Sequence, residues 1–239
     1  MRAMKMIVSA ALFCLLVGVV CAQEKSVPVG EEGHHQLVLE NEYTRVFHVV
    51  LAPKESTLMH QHDRDYVYVM IGSSQVESLK QGAAPTQMKL NDGDVKFTKG
   101  PLTHKVTNVG DTPFVNLTIE VKKASTKAVC GASWAGVEAE KPQACETVMS
   151  GFFGETLNLK TDQVEATTES TTGSGTGLKP GDVHNARLLV ALSQLACLCA
   201  DRKVLRMNPG DVAWLPRQTA EQISNVGDIH ARFVIVSFE

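Results

Sequence analysis

Apolar and polar residues alternate along this chain in short runs rather than at helical spacing. From Phe114 to Val121, Val115, Leu117, Ile119 and Val121 fall on one face and Asn116, Thr118 and Glu120 on the other. Side chains of an extended strand point alternately to its two faces, so this pattern predicts a strand. Tyr66 to Ile71 (Tyr-Val-Tyr-Val-Met-Ile) is rich in aromatic and β-branched residues, which suit a pleated, half-buried surface. Val234, Val236 and Phe238 repeat the phase of Leu117, Ile119 and Val121 at a constant distance. Gly-Asp and Val-Gly-Asp pairs punctuate these runs as turns. No long helical periodicity occurs beyond the first twenty or so residues. Short strands separated by Gly-rich turns indicate an all-β barrel or sandwich.

The pattern occurs twice. Asn91-Asp92-Gly93-Asp94-Val95 returns as Asn208-Pro209-Gly210-Asp211-Val212, and Thr107-Asn108-Val109-Gly110-Asp111 returns as Ser224-Asn225-Val226-Gly227-Asp228, both 117 residues later. One offset shared by two motifs argues for duplication of a structural unit. Arg187 to Leu192 then corresponds to Tyr66 to Ile71. The expected organisation is a tail over 23–36, a first unit over 37–123, a connector over 124–151 and a second unit over 152–239. The Thr/Ser/Gly-rich stretch 167–177 is expected to be a loop.

The first 22 residues read as a targeting segment. Arg2 and Lys5 supply a positive start, Met6 to Val20 is almost wholly apolar, and Val20-Cys21-Ala22 is a small-residue cleavage site. Cleavage near Ala22 would begin the mature chain at Gln23 and place it in the periplasm or outside the cell. Acylation of Cys21 in a lipoprotein is the alternative. The apolar run is shorter than the ~20 residues a spanning helix needs, and no other segment is a candidate, so no membrane span is expected.

Charge narrows the function class. The chain carries 23 Lys and Arg against 26 Asp and Glu, a net charge of −3. That is no footprint for nucleic acid, and a small-molecule ligand or substrate, or a metal, is the expected partner. Oligomeric state is left open. Export permits disulfides. Cys130 and Cys145 flank a Gly-, Ala- and Pro-containing stretch that a disulfide could clip; closing a loop of about 15 residues would stabilise by about 3 kcal/mol. Cys197 and Cys199, two apart in an apolar run, read as small buried hydrophobes.

The candidate chemistry is in the first unit. In His60-Gln61-His62 two imidazoles on an extended segment point the same way and can share an ion. Asp65 follows, then a strand, then Gly72; His104 lies one hairpin later, after Gly93. Three imidazoles and a carboxylate suit a divalent transition metal.

These motifs resemble those of the cupin superfamily. The first cupin motif pairs His-x-His with a Glu six residues before a Gly; His60 and His62 match, and Asp65 stands in the Glu position ahead of Gly72. In the second motif Gly93, His104 and Asn108 fall at family spacing, with Lys99 and Pro101 replacing the usual Pro and Gly. The resemblance implies two tandem cupin-type (double-stranded β-helix, jelly-roll) barrels. It also implies that His60, His62, Asp65 and His104 face one metal in the first. Asp65 is nearer to His62, and a methylene shorter, than the family Glu; three His ligands plus water is the alternative. The second unit keeps the scaffold and loses the ligands, with Gly181, Val183 and Glu221 at the positions of His60, His62 and His104.

The other histidines have blander readings: His34 and His35 as solvated tail residues, His48 as a strand residue, His230 as exposed. Asp65, Val67, Val69 and Ile71 share parity and are expected to face the barrel interior, with Tyr66 and Tyr68 outward. Two functions follow from the resemblance. One is a metal-dependent oxygenase, or related small-molecule enzyme, using Fe, Mn, Ni or Zn. The other is a non-catalytic protein that binds a metal or small ligand. No separate general base stands out.

Overall fold

The computed structural model describes residues 24–132, 145, 147–150, 153–171, 184–198, 203–219, 222–226 and 230–239. The expected signal segment, Cys199, Gly181, Val183 and Glu221 lie outside the described residues. Among the described residues the structure is strands joined by turns, with one 3-10 turn at Val29–Glu31. No helix among them is long and apolar enough to cross a membrane.

The first half contains β1 (Val27–Pro28), β2 (His35–Glu40), β3 (Thr44–Leu51), β4 (His60–His62), β5 (Tyr66–Met70), β6 (Ser74–Lys80), β7 (Thr86–Leu90), β8 (Val95–Thr98), β9 (Leu102–Asn108) and β10 (Phe114–Val121). They form two five-stranded sheets in the orders β1-β4-β9-β6-β7 and β2-β3-β10-β5-β8. The second half contains β11 (Ala128–Cys130), β12 (Thr147–Ser150), β13 (Phe153–Thr161), β14 (Val164–Thr171), β15 (Ala186–Ala191), β16 (Leu195–Leu198), β17 (Val204–Met207), β18 (Val212–Leu215), β19 (Gln222–Asn225) and β20 (Arg232–Phe238). Its larger sheet runs β11-β13-β14-β20-β15-β18, with β12 on β13, and its smaller one β17-β16-β19. The stretch read as a loop from residue 167 begins as strand, because Thr167 to Thr171 complete β14 against β13 and β20.

The duplication extends to single hydrogen bonds. In the first half the Gly93 N–H donates to Met70 O and the Asp94 Oδ2 accepts from Asn91 N at 2.9 Å; in the second, Gly210 donates to Ala191 O and the Asp211 Oδ2 accepts from Asn208 N at 2.7 Å. Both glycines sit at positive φ, +78° and +91°, a region that a side chain disfavours. A Cβ on Gly93 would also meet Arg232 and Leu192 of the other half, at 2.8 and 3.2 Å.

Three apolar clusters hold the halves. One fills the first sandwich (Phe47, Val49, Leu51, Met70, Val76, Phe114) and one fills the second (Leu189, Leu195, Met207, Leu215, Phe233, Ile235). The largest lies between the two big sheets: Val67, Val69, Leu117 and Ile119 of the first half pack on Leu188, Val190, Val234 and Val236 of the second. Burying each such side chain is worth about 1.5–3 kcal/mol relative to exposure. Arg232 adds an ion pair to Asp92 across the seam at 2.7 Å.

This packing corrects the expected facing of β5. Its alternation is as read, but Val67 and Val69 face the other half, while Tyr66 and Tyr68 line the first barrel's interior. A sheet covered on both faces lets apolar residues face either way, so alternation alone cannot say which face is the lumen.

Two cysteine readings are also settled. Cys130 and Cys145 are disulfide-bonded, 15 residues apart. Cys197, read as a small buried hydrophobe, is buried as expected and is also disulfide-bonded.

Candidate metal centre

Four imidazoles meet at the floor of the first barrel. His60 and His62 sit on β4 with Gln61 between them, so both point inward. β9 pairs antiparallel with β4 and sets His104 directly opposite His60. The ring centroids of His60 and His104 are 4.6 Å apart, and those of His62 and His104 5.3 Å. The fourth, His35, begins β2; its ring lies 4.6 Å from that of His60 and 5.8 Å from that of His62. All four are buried. Ligand atoms of His35, His60 and His62 lie within 4.8 Å of one another.

His35 corrects the reading of residues 23–36 as a loose tail with a solvated histidine. β1 pairs in parallel with β4, bringing Val27 beside His60, and the Val27 N–H donates to Met59 O. The partner strand is more than thirty residues away, and β2 pairs with β3 so that His35 stands opposite Val49; the two pairings together carry His35 into the barrel.

Each of three rings is tethered through Nδ1. His60 Nδ1 donates to Leu58 O at 2.9 Å, His35 Nδ1 to Glu32 Oε2 at 2.6 Å, and His62 Nδ1 faces Glu120 Oε1 at 3.4 Å. A carbonyl or ionised carboxylate only accepts, so the ring proton sits on Nδ1 and Nε2 presents its lone pair. Metal-bound histidines are held in this way. Nε2 of His60 and of His62 are 3.2 Å apart. Two lone pairs facing at that distance repel unless a cation or a proton lies between them. The donor set therefore fits a divalent transition metal.

Glu32 secures much of this. Its Oε1 accepts from Leu58 N at 3.1 Å and its Oε2 from His34 N at 3.0 Å, besides the His34 and His35 rings. Since Leu58 O holds His60, one carboxylate fixes His35 directly and His60 through one residue of backbone. Burial works to raise the Glu32 pKa, but the hydrogen bonds from His35, His34 and Leu58 outweigh it and leave the group well below the usual carboxylate range. Glu120, on β10, is likewise lowered: burial opposes, and the bonds from His62 and Arg45 prevail. Arg45 holds it through Nε at 2.9 Å and a second guanidinium nitrogen at 2.5 Å. Removing such a support typically costs 10–100-fold in metal affinity. Glu32→Gln should therefore weaken metal binding by about that factor, read by competition with a chelator of known affinity; an unchanged affinity would show the carboxylate to be dispensable.

Asp65 is not brought to the cluster, and its reading as a ligand is corrected. Its carboxylate accepts from Lys99 Nζ at 2.9 Å, Gly100 N at 3.0 Å and Ser125 N at 2.7 Å. Sharing parity with Val67 and Val69, it lies on the side of the strand away from the lumen. Asn108 does match its motif's structural role: fully buried, it donates to Leu51 O and Thr112 O and accepts from Gly110 N.

Burial first, then neighbouring imidazoles, push His60 down to about 3 and His104 to about 2. Burial also lowers His62, with Glu120 partly offsetting it. An unfolded histidine titrates near 6.5. Between that value and the lowered ones, the unfolded chain binds protons that the folded chain refuses, so stability falls with falling pH. Glu32 and Glu120 act in the same direction, because depressed carboxylates lose their contribution as pH falls through the folded pKa. Metal-free protein should show a Tm that drops steadily from pH 7 to pH 4; a flat Tm would contradict neutral buried histidines.

The cluster opens into a cavity of about 680 Å³ lined by both sheets of the first half, including Tyr66 and Tyr68. The Tyr66 ring stacks on His62 at 4.4 Å. Burial raises both phenols, Tyr68 up to about 12, so they act as neutral hydrogen-bonding groups.

No family model matches the sequence, and no curated protein sequence matches it. Solved structures do match the fold. AerE from Microcystis aeruginosa superposes with a TM-score of 0.64 at 12% identity, over 91% of this chain and 98% of that one. A point mutant of the oxalate decarboxylase OxdC of Bacillus subtilis gives 0.58 at 12% identity, over 83% of this chain and 70% of that one. Both are bicupins. This chain has the bicupin fold. The oxalate decarboxylase is a protein with Mn(II) centres. In this chain the geometry of His35, His60 and His62 could hold a metal. The cupin reading is thus borne out at the level of fold.

In the second half, the residues at the positions of His60, His62 and His104 fall outside the described residues. His184 and His230, which are described, are exposed.

Proposed function

We propose that this protein is an exported bicupin holding one divalent transition metal, Fe, Mn, Ni or Zn, in its first barrel. It would use the ion as a metal-dependent oxidoreductase of the dioxygenase type. The reading rests on one observation: imidazoles tethered through Nδ1 turn their Nε2 atoms toward one another at the floor of an open, ligand-sized cavity. His60, His62 and His104 would be the ligands, with His35 supplying a fourth nitrogen. An ion so held acts as a Lewis acid and a template for O2 or substrate. The chain's own residues orient and exclude. Glu32 and Glu120 hold the ligand rings, Tyr66 packs on His62, and apolar walls keep water from a bound molecule. The second barrel serves as scaffold, and the mature chain begins near Gln23.

Protein purified from its native compartment should contain about one transition-metal ion per chain by elemental analysis. It should also consume oxygen when supplied with its substrate. A metal-free native protein that gains no thermal stability from any of the four ions would overturn the reading.

A further inference from the structure

The lining of the first barrel's cavity is unevenly charged. Among the described residues, its ionic side chains apart from the histidines are three lysines, Lys80, Lys89 and Lys96, and one carboxylate, Asp94. Asp94 is already engaged, accepting from Asn91 N at 2.9 Å. Lys80 ends β6 directly opposite His104 on β9. Lys96, on β8, lies in the other sheet from Lys80 and pairs with Tyr68 of β5. Strand parity puts both on lumen-facing positions, since Val76 and Ser78 precede Lys80 and Thr98 follows Lys96 along the lining. Neither ammonium makes an ion pair among the described residues.

The floor adds to this imbalance. With Asp65 turned away, its donors are all neutral imidazoles, so a divalent ion there would keep its full charge. Glu120, the carboxylate beneath His62, is matched by Arg45, and Glu32 behind His35 offsets only part of a divalent charge. The walls between floor and rim carry Val49, Val76, Leu90, Val106 and Phe114, with Ser78, Asn116 and Thr118 interspersed.

We infer that the first barrel takes a small carboxylate with an apolar body, its anionic head on the floor within reach of Lys80 and its body along the apolar walls. Cross-strand neighbours have Cβ atoms about 5 Å apart, so the Lys80 stem can bring its ammonium to an anion beside His104. Lys96 contributes from the opposite wall, chiefly as attraction on entry. This inference rests on the first barrel being the ligand site of the proposed function.

Benzoate and benzamide, nearly equal in shape and different in charge, separate the contributions. Calorimetric titration of zinc-loaded protein at low ionic strength should show benzoate binding at least tenfold tighter, the order of one charge-assisted hydrogen bond. Lys80→Met should remove about tenfold of benzoate affinity and Lys96→Met about threefold, with benzamide unchanged in both. Equal affinity for the two probes, binding of neither, or a benzoate preference that survives Lys80→Met would overturn the inference. Zinc content measured on the same samples, and the same titration after chelation, keep the two readings apart. Zinc bound with no preference for benzoate leaves the metal reading standing and removes this one. A Lys80-dependent preference in protein that holds no zinc does the reverse.

Discussion

His60→Ala combined with His104→Ala is expected to abolish stoichiometric metal binding, and either alone to weaken it by orders of magnitude. These two residues face each other across the β4–β9 pair and define the floor on which the other rings converge. Losing both leaves only His62 and His35, too few to close a site, and losing either breaks the facing pair across β4 and β9. His35→Ala should do less, leaving three imidazoles and a water position, a donor number that still supports catalytic sites. The measurement is metal content after dialysis against a weak chelator, with far-UV circular dichroism to confirm folding. Because His60 and His104 are buried and neutral, their removal need not unfold the barrel; a cavity of modest size remains. One ion per chain retained by the double variant would place the metal elsewhere, and the proposed function would fall with it.

Asp65→Ala is expected to be the most destabilising single polar substitution in the first barrel, and to leave metal content at one per chain. The carboxylate is 3% exposed and satisfies an ammonium and two backbone N–H groups at once. Its loss strands the donors of Gly100 and Ser125 and removes the ion pair of Lys99, whose ammonium keeps its bond to Ser125 O. Breaking a buried ion pair on one side costs about 3–5 kcal/mol. For a chain of this size that lowers Tm by something like ten degrees or more, at roughly 2–4 °C per kcal/mol. Asp65→Asn keeps one acceptor oxygen, turns the other into a donor and loses the charge, so it should fall between Asp65→Ala and the parent. Urea denaturation of the metal-free forms reads the stability, and elemental analysis of the loaded forms reads the metal. A variant of normal stability that cannot hold metal would restore Asp65 as a ligand.

The histidines of β4 and β9 were legible because their geometry is local. Two residues apart on an extended segment must point the same way, and a Gly-Asp turn followed by a strand brings His104 back across from them. The scaffold was legible for a related reason: the 117-residue repeat of turn motifs carries its hydrogen bonds with it, so Gly93 and Gly210 adopt the same turn. The Cys130–Cys145 pair could be suggested from spacing alone, though its formation needed the ends of the connector to meet.

What the sequence could not decide was which side of each strand faces the lumen. The alternation in β5 and β10 was plain, yet both faces of that sheet are buried, one against the barrel interior and one against the second half. Hydrophobicity therefore pointed to the seam between halves, and the polar face carrying Tyr66, Tyr68 and Glu120 was the functional one. The same inversion sent Asp65 away from the site. Glu120 left a signal that could have been used, a charged residue closing the polar face of a strand with no solvent side. His35 and Glu32 left less: a Glu three residues before a His is common in solvated tails. The pairing of β1 with β4 and of β2 with β3, together with the bond from Leu58 N to Glu32, makes them part of the centre. Local spacing determined which histidines share a face; the docking of one sheet on another, and of the N-terminal segment on β4, decided what they meet.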